Sequence, residues 1–364
     1  MDVFKYRGLT AKDIKGKVTV TSAEITNYNV RKDDVFFTRT SETVEEIGTT
    51  SVITEDLHKT VFSGFILRAR PKNNWLDTFY KKYCFSSASV RKEITSTSSY
   101  TTRALINGKL LSEVKFPLPP LPEQQAIAEV LSDVDALVTS LDQLITKKRN
   151  IKQGAMQLLL TGKKRLAGFS GEWETKKVKS LGEVVTGSTP STSVKEYWNG
   201  LIPWITPTDI TDKKNISKSE RHITGLGLSK IRKLPANSVL VTCIASIGKN
   251  AILRKEGASN QQINAIIPSR ENDTDYIYYL VELKKNFLLG SAGIAATSII
   301  SKKDFEELEF TLPNAEEQKA LAQILSDMDA EIEALEQKRD KYKAVKRGMM
   351  QELLTGKLRL KINF

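Results

Sequence analysis

The sequence predicts an α+β protein built as an internal repeat, with two mixed α/β domains and two long coiled-coil helices. Three observations carry this expectation. Residues 116–166 recur at 310–360, 194 positions later and without a gap, with roughly half of the positions identical. Both copies carry a heptad seam. The segments between them alternate strand-like and helix-like stretches. A period this long marks duplication of a whole structural half.

Each copy reads as one helix. In the first, Ile127, Leu131, Val134, Val138, Leu141 and Ile145 are four and three residues apart. In the second, Leu321, Leu325, Met328, Ile332, Leu335 and Tyr342 keep the seam. Alternating spacing of this kind places one apolar stripe on one helix face. Arg339 stands where Ile145 did, so the seam weakens there. Pro119, Pro120 and Pro122 precede or open the first helix, where proline is tolerated. "LLTGK" closes both copies, and Gly162 and Gly356 suit a helix stop. Neither stripe can be buried alone, so the two helices are expected to pack on each other.

"TGK" also suggests a phosphate-binding loop, but the requirements fail. Such a loop needs a glycine five residues before its Gly-Lys and Ser or Thr after the lysine. Those positions hold Gln157 and Lys164 in one copy, and Gln351 and Leu358 in the other. The helix stop is the reading that remains.

The 364 residues carry a net charge of +12, which points to a polyanionic partner such as nucleic acid. The charge is uneven. Residues 1–115 hold 19 Lys/Arg against 13 Asp/Glu, and 167–309 hold 19 against 16, whereas 310–360 hold 9 of each. The intervening segments are therefore the anion-facing parts and the helices the spacers. Cys84 and Cys243 stand far apart, which argues against a disulfide framework or a cysteine metal site. No apolar run is long enough for a membrane span and the opening "MDVFKYRGLT" lacks the apolar core of a signal peptide, so a cytoplasmic protein is expected.

The expected domains are 1–115, 167–309, and the helical segments 116–166 and 310–364. In 167–309, "VKSLGEVVTGSTPSTS" is an apolar stretch followed by a loop. "SVLVTCIASIGKNAIL" at 238–253 reads as strand, turn and strand, broken at Gly248. "NQQINAIIP" at 260–268 reads as a further strand, and "TDYIYYLVELKKNFLL" at 274–289 as a helix. The first segment follows the same scheme. "DDVFFTRTSETVEEIGTTSVI" at 33–53 matches the strand–Ile-Gly–strand unit, "VFSGFILRARP" at 61–71 the next strand, and "LDTFYKKYCF" at 76–85 the helix. "FKYRGLTAKDI" at 4–14 is placed over "LIPWITPTDI" at 201–210, so the first repeat is expected to lack roughly thirty leading residues of the second.

With these pieces in place the chain resembles the specificity subunit of type I restriction–modification enzymes. "PLPPLPEQQAIAEVLSDVDA", "LTGKKRL", "GEWETKKVKSLGEVVTGSTPS" and "IPWITPTDI" carry the resemblance, which covers nearly the whole chain. It implies that each variable segment is a target recognition domain for one half of a split double-stranded DNA site. It implies that the long helices pack antiparallel and fix the spacing of the halves. It also implies no catalysis in this chain. Methyltransferase (M) subunits would bring S-adenosylmethionine, and motor–nuclease (R) subunits ATP and Mg, so no cofactor is expected here. Independently, there is no Asn-Pro-Pro-aromatic or Asp-Pro-Pro-aromatic tetrapeptide and no glycine-rich cofactor loop. "GLGL" at 225–228 reads as a turn, and His58 and His222 are isolated.

Base and phosphate contacts call for Arg, Lys, Asn, Gln and hydroxyl side chains in loops. In the second segment the candidates are Ser188, Thr189, Thr206, Thr208, Lys249, Asn250, Gln261, Gln262 and Asn264. In the first they are Tyr6, Arg7, Lys12, Arg39 and Thr40. Trp198 and Trp204 are expected in the core. The competing reading of the chain is a scaffold that binds methyltransferase subunits through its helices and reads one half-site or none.

Overall fold

Both repeated segments are single 39-residue helices, Leu121–Leu159 and Ala315–Leu353, in the computed structural model. It describes every residue except 1–3, 5, 6, 101, 245, 292–298 and 362–364. The predicted seam is buried or half-buried throughout. Ile127, Leu131, Leu141, Leu321, Leu325 and Ile332 are buried, and Val134, Val138, Met328 and Leu335 are partly covered. Beyond the helix ends, Gly162 and Gly356 have φ of 70° and 73°, a left-handed conformation that favours glycine.

The chain forms two units, Met1–Gln143 with Glu336–Phe364, and Leu144–Leu335. The division runs through both long helices. Each unit therefore takes one intervening segment and one end of each helix, in place of the four sequence segments expected.

In the first unit the order is β1 (Gly8–Leu9), α1 (Ser22–Asn27), β2 (Val35–Thr38), β3 (Thr40–Ser41), β4 (Thr50–Ile53), β5 (Ile66–Ala69), α2 (Thr78–Cys84), α3 (Ala88–Thr97), β6 (Ser99–Tyr100), β7 (Ala104–Leu105), α4 (Gly108–Ser112) and the first long helix, α5. Four strands make one sheet, β1-β4-β2-β5. Asp77 caps α2 by accepting from the N–H groups of Phe79 and Tyr80. The helix then lays Tyr80 and Tyr83 on Ile127 and Leu131 of α5, on Met350 and Leu353 of the other long helix, and on Leu354 just past its end.

In the second unit the order is β8 (Glu174–Lys177), α6 (Val178–Leu181), β9 (Gly182–Thr186), β10 (Trp198–Ile205), β11 (Asn215–Ile216), β12 (His222–Ile223), α7 (Gly225–Leu228), β13 (Ser238–Thr242), β14 (Asn250–Leu253), β15 (Ala258–Ser259), β16 (Ile263–Pro268), α8 (Thr274–Leu283), α9 (Lys285–Ser291), α10 (Lys302–Glu307), β17 (Glu309–Leu312) and α11, the second long helix. The main sheet runs β11-β14-β13-β16-β9. Its centre reads "SVLVT" without polar alternation because both faces are covered. Val239, Val241, Ile252 and Ile266 pack with α8 and the helix ends. Leu240, Ala251, Leu253 and Ala265 pack on the other face with Ile205 and Ile210. The expected helix over 274–289 is split at Lys284 into α8 and α9. "GLGL" forms one helical turn, α7.

The two frames agree bond by bond. Gly48 and Gly248, with φ of 64° and 81°, both donate to a threonine carbonyl, Thr38 and Thr242. The hydroxyls of those threonines accept the N–H of Thr49 and Lys249. One expected correspondence is corrected. β1 pairs parallel with β4 through Gly8↔Val52, as β11 pairs with β14 through Asn215↔Ile252. Arg7-Gly8-Leu9 thus occupies the place of Lys214-Asn215-Ile216, not that of "LIPWITPTDI". The sequence match came from a local turn, since Thr10 and Thr206 both bond the carboxylate three residues on. Among the described residues no strand lies beside β5 as β9 lies beside β16.

Within each unit the helix segments run antiparallel, and two ion pairs repeat with the sequence offset: Glu123 meets Arg359 and Asp135 meets Lys346 in the first unit, as Glu317 meets Arg165 and Asp329 meets Lys152 in the second. A third pair is particular to each unit, Asp142 with Arg339 in the first and Glu331 with Lys148 in the second. Arg339, the break in the seam, is accommodated by Asp142.

Glu317 is 1% exposed and takes both oxygens' bonds from Arg165 at 2.7 Å. Removing one partner of a buried pair strands the other charge. Arg165→Ala should cost roughly 3 kcal/mol, and adding Glu317→Gln should restore part of it; urea unfolding measures both. Asp275 gives a pH test. Burial pushes its carboxyl up, but hydrogen bonds from Arg254 and Lys214 outweigh this and hold it below the usual range. The folded chain then binds this proton more weakly than the unfolded one. The stabilisation is complete above about pH 4 and fades as pH falls below that. Melting curves at pH about 5 and 3 should show a larger loss for the natural chain than for Asp275→Asn.

Candidate nucleic-acid interface

In the second unit one end of the main sheet gathers most of the candidates. β9 ends there, β13 turns there into β14, and β16 begins there. The loop after β9 is fixed by the N–H of Gly187 on the Ile263 carbonyl and the N–H of Ser188 on the Ser259 carbonyl. A Cβ at residue 187 would lie 2.2 Å from the Asn260 carbonyl oxygen, so only glycine lets this loop approach. Thr189 then donates to the Gln261 side chain at 2.7 Å. Gln262 accepts from the Asn260 amide at 2.9 Å. Asn260 N–H bonds the Ile205 carbonyl, which brings in the end of β10 and with it Thr206 and Thr208. Lys249 is exposed on the β13–β14 turn at the same sheet end.

Two candidates in this unit are corrected. Asn250 is buried and its amide donates to the Tyr278 carbonyl. Asn264 is buried too, accepting from Thr186 and donating to the Cys243 sulfur. Both point into the interior, Asn250 towards the backbone of α8 and Asn264 towards its neighbours in the sheet, so neither reaches the surface. Ser188 is half-spent: its hydroxyl accepts the Arg232 N–H and its carbonyl accepts the Trp204 indole. Thr206 closes its own turn with Asp209.

The first unit gathers fewer. Arg39 is exposed after β2, its guanidinium donating weakly to the Gly64 carbonyl at 3.4 Å. Thr40 opens β3. Lys12 is exposed, but it follows β1 at the sheet end opposite to Arg39 and Thr40. Arg7 is corrected: its carbonyl accepts from Val52 and its guanidinium turns to the Met350 sulfur and the Tyr83 ring. Tyr6 lies outside the described residues.

The sequence reading missed Arg221 and Arg232. Arg232 donates to the Thr186 carbonyl at 2.8 Å beside Ser188. Arg221 lies over Trp198 and Trp204. Of the two tryptophans expected in the core, Trp204 is buried and Trp198 is only half-buried. No pattern in the sequence marks Arg221, because its platform forms only when β12 pairs with β10. Among the described residues no cluster of His, Cys, Asp and Glu could hold a metal, and no helix is long and apolar enough to cross a membrane.

The arrangement is one of polar side chains on loops gathered at one end of a sheet. The family model described as "Type I restriction modification DNA specificity domain" matches residues 5–153 and 170–343. The type I restriction enzyme MjaIX specificity subunit of Methanocaldococcus jannaschii is 38% identical over 168 residues, 44% of this chain and 39% of that protein. The putative MjaX specificity subunit of the same organism is 25% identical over 360 residues, 94% of this chain and 82% of that protein. The solved type I restriction–modification S subunit from M. genitalium superposes with a TM-score of 0.59 at 13% identity, over 90% of this chain and 84% of that one, which shows the shared fold. The chain belongs to the type I restriction–modification DNA specificity family.

Proposed function

We propose that this chain is the DNA-reading subunit of a type I restriction–modification complex, with each unit addressing one half of a bipartite site. The observation that carries it is the duplicated frame. Two sheets share a hairpin and helix scaffold bond by bond, yet present different residues at the reading end, Arg39 and Thr40 against Lys249, Gln261 and Thr189. Equal scaffolds with unequal tips suit an asymmetric site.

In this reading the chain performs no catalysis and binds no cofactor. It positions methyltransferase subunits, which carry S-adenosylmethionine and methylate an adenine in each half, and motor–nuclease subunits, which use ATP and Mg. The type I restriction–modification assembly whose structure describes "complex assembly and conformational transition" also superposes on this chain, with a TM-score of 0.57. The competing reading, a scaffold with one working half, has its own observation: the first unit offers no counterpart, among the described residues, of the loops that carry Ser188 and Thr206.

Expressing the chain with its methyltransferase partner and mapping N6-methyladenine across the host genome separates the readings. A split, asymmetric motif is expected. A palindrome of one half-site would leave the second unit as the sole reader, and an unmethylated genome would leave the scaffold. Lys249→Ala should weaken binding several-fold and lower the salt slope by about one charge; Arg39→Ala should do the same, and both are read by anisotropy titrations at stepped salt.

A further inference from the structure

Arg221 is held by two tryptophan rings at once. Its guanidinium carbon lies 3.8 Å from the Trp198 ring centre and 5.0 Å from that of Trp204. The two indoles meet edge-on, with centres 5.1 Å apart. Each indole N–H is already tied down, Trp198 to the Ser191 carbonyl and Trp204 to the Ser188 carbonyl. The backbone is fixed too, since the Arg221 carbonyl accepts from the Trp204 N–H and the Ser219 hydroxyl. Next to it His222 pairs with Pro203 across β10 and β12.

The sheet is bent to make this platform. The β10–β12 register shifts between Trp198 and Ile202. Within that bulge Asn199 has φ of 62°, and a Cβ at residue 200 would meet the Ile223 carbonyl oxygen at 2.3 Å. Bulges of this type re-aim side chains and recur beside functional sites. Here the bulge begins at Trp198, the ring that lies beneath Arg221.

What is held so firmly is left unused. Arg221 is exposed, and among the described residues no carbonyl or carboxylate accepts from its guanidinium. Stacking occupies the face of the group and leaves its in-plane N–H donors directed outward. Glu220, Lys195, Asn199 and His222 line the same open concavity. A carboxylate there opposes a phosphate. It suits a cytosine amino group, as an arginine fork suits the O6 and N7 of guanine.

We propose that Arg221 and Glu220 read one G·C pair in the half-site of the second unit, Arg221 on the guanine and Glu220 on the cytosine. This rests on the DNA-reading function above and names the base chemistry of one position.

The test uses the chain with its methyltransferase partner and duplexes carrying the mapped site. Each G·C pair of the half is replaced in turn, and each guanine in turn by 7-deazaguanine, which lacks N7. The natural chain should lose roughly 10- to 100-fold in affinity at one position. Arg221→Ala and Arg221→Lys should bind the intact site weaker by a similar factor and become indifferent to replacement there. Glu220→Gln, which leaves the stack alone, should relax discrimination at the same pair. A uniform loss across all sequences with a smaller salt slope would make Arg221 a phosphate contact and overturn the proposal. A lower melting temperature with discrimination unchanged would make the stack structural and do likewise, as would a half-site without a G·C pair. If the natural chain shows no site preference, the DNA-reading function itself fails; if it does and the variants match it, only this inference fails.

Discussion

Each long helix opens with a buried glutamate that an arginine from beyond the end of the other helix neutralises. Glu123 takes three hydrogen bonds from the Arg359 guanidinium, and Glu317 takes two from Arg165. A carboxylate this far from water is tolerable only with such a partner. The bonds fix where each helix must begin relative to the stop of the other, and so set the register of each antiparallel segment pair. With that register set, Ile127 and Leu131 fall against Met350 and Leu353, and Leu321 and Leu325 against Met156 and Leu159.

The next residue extends the same clamp to the variable segment. The Gln124 side chain accepts from the Asp77 N–H and donates to the Pro119 carbonyl, and Gln318 does the same with Asp273 and Pro313. Asp77 and Asp273 are also the caps of α2 and α8. A capping residue therefore serves twice, with its carboxylate on its own helix and its backbone on the long one. The tyrosines that follow, Tyr83 and Tyr279, place their hydroxyls on Asp135 and Asp329.

The features legible in the sequence are the local ones. The heptad seam, the glycine stops and the strand–turn–strand at Gly248 depend on neighbours within a few residues, and the pattern of those neighbours reveals them. Pairing across the sheet is not legible in this way. "GLTAKDI" copies the Thr–Asp turn of "WITPTDI", yet the position of β1 is set by Val52, more than forty residues on. Facing is equally hidden: Asn250 and Lys249 are adjacent, and only the pleat decides that one is buried and the other exposed. Arg221 shows the same limit, because its platform needs Trp198, Trp204 and a bulge between them.

The tyrosine contact has a consequence for how such proteins can change. In each unit the long helices present a serine, an aspartate and a lysine, Ser132, Asp135 and Lys346 in one, Ser326, Asp329 and Lys152 in the other. The variable segment answers with one tyrosine and one backbone N–H. That is a socket with a fixed pin pattern. A segment with wholly different loops fits the same socket if it keeps α2 or α8 in place, so the loops can change while the helix pair beneath them stays as it was.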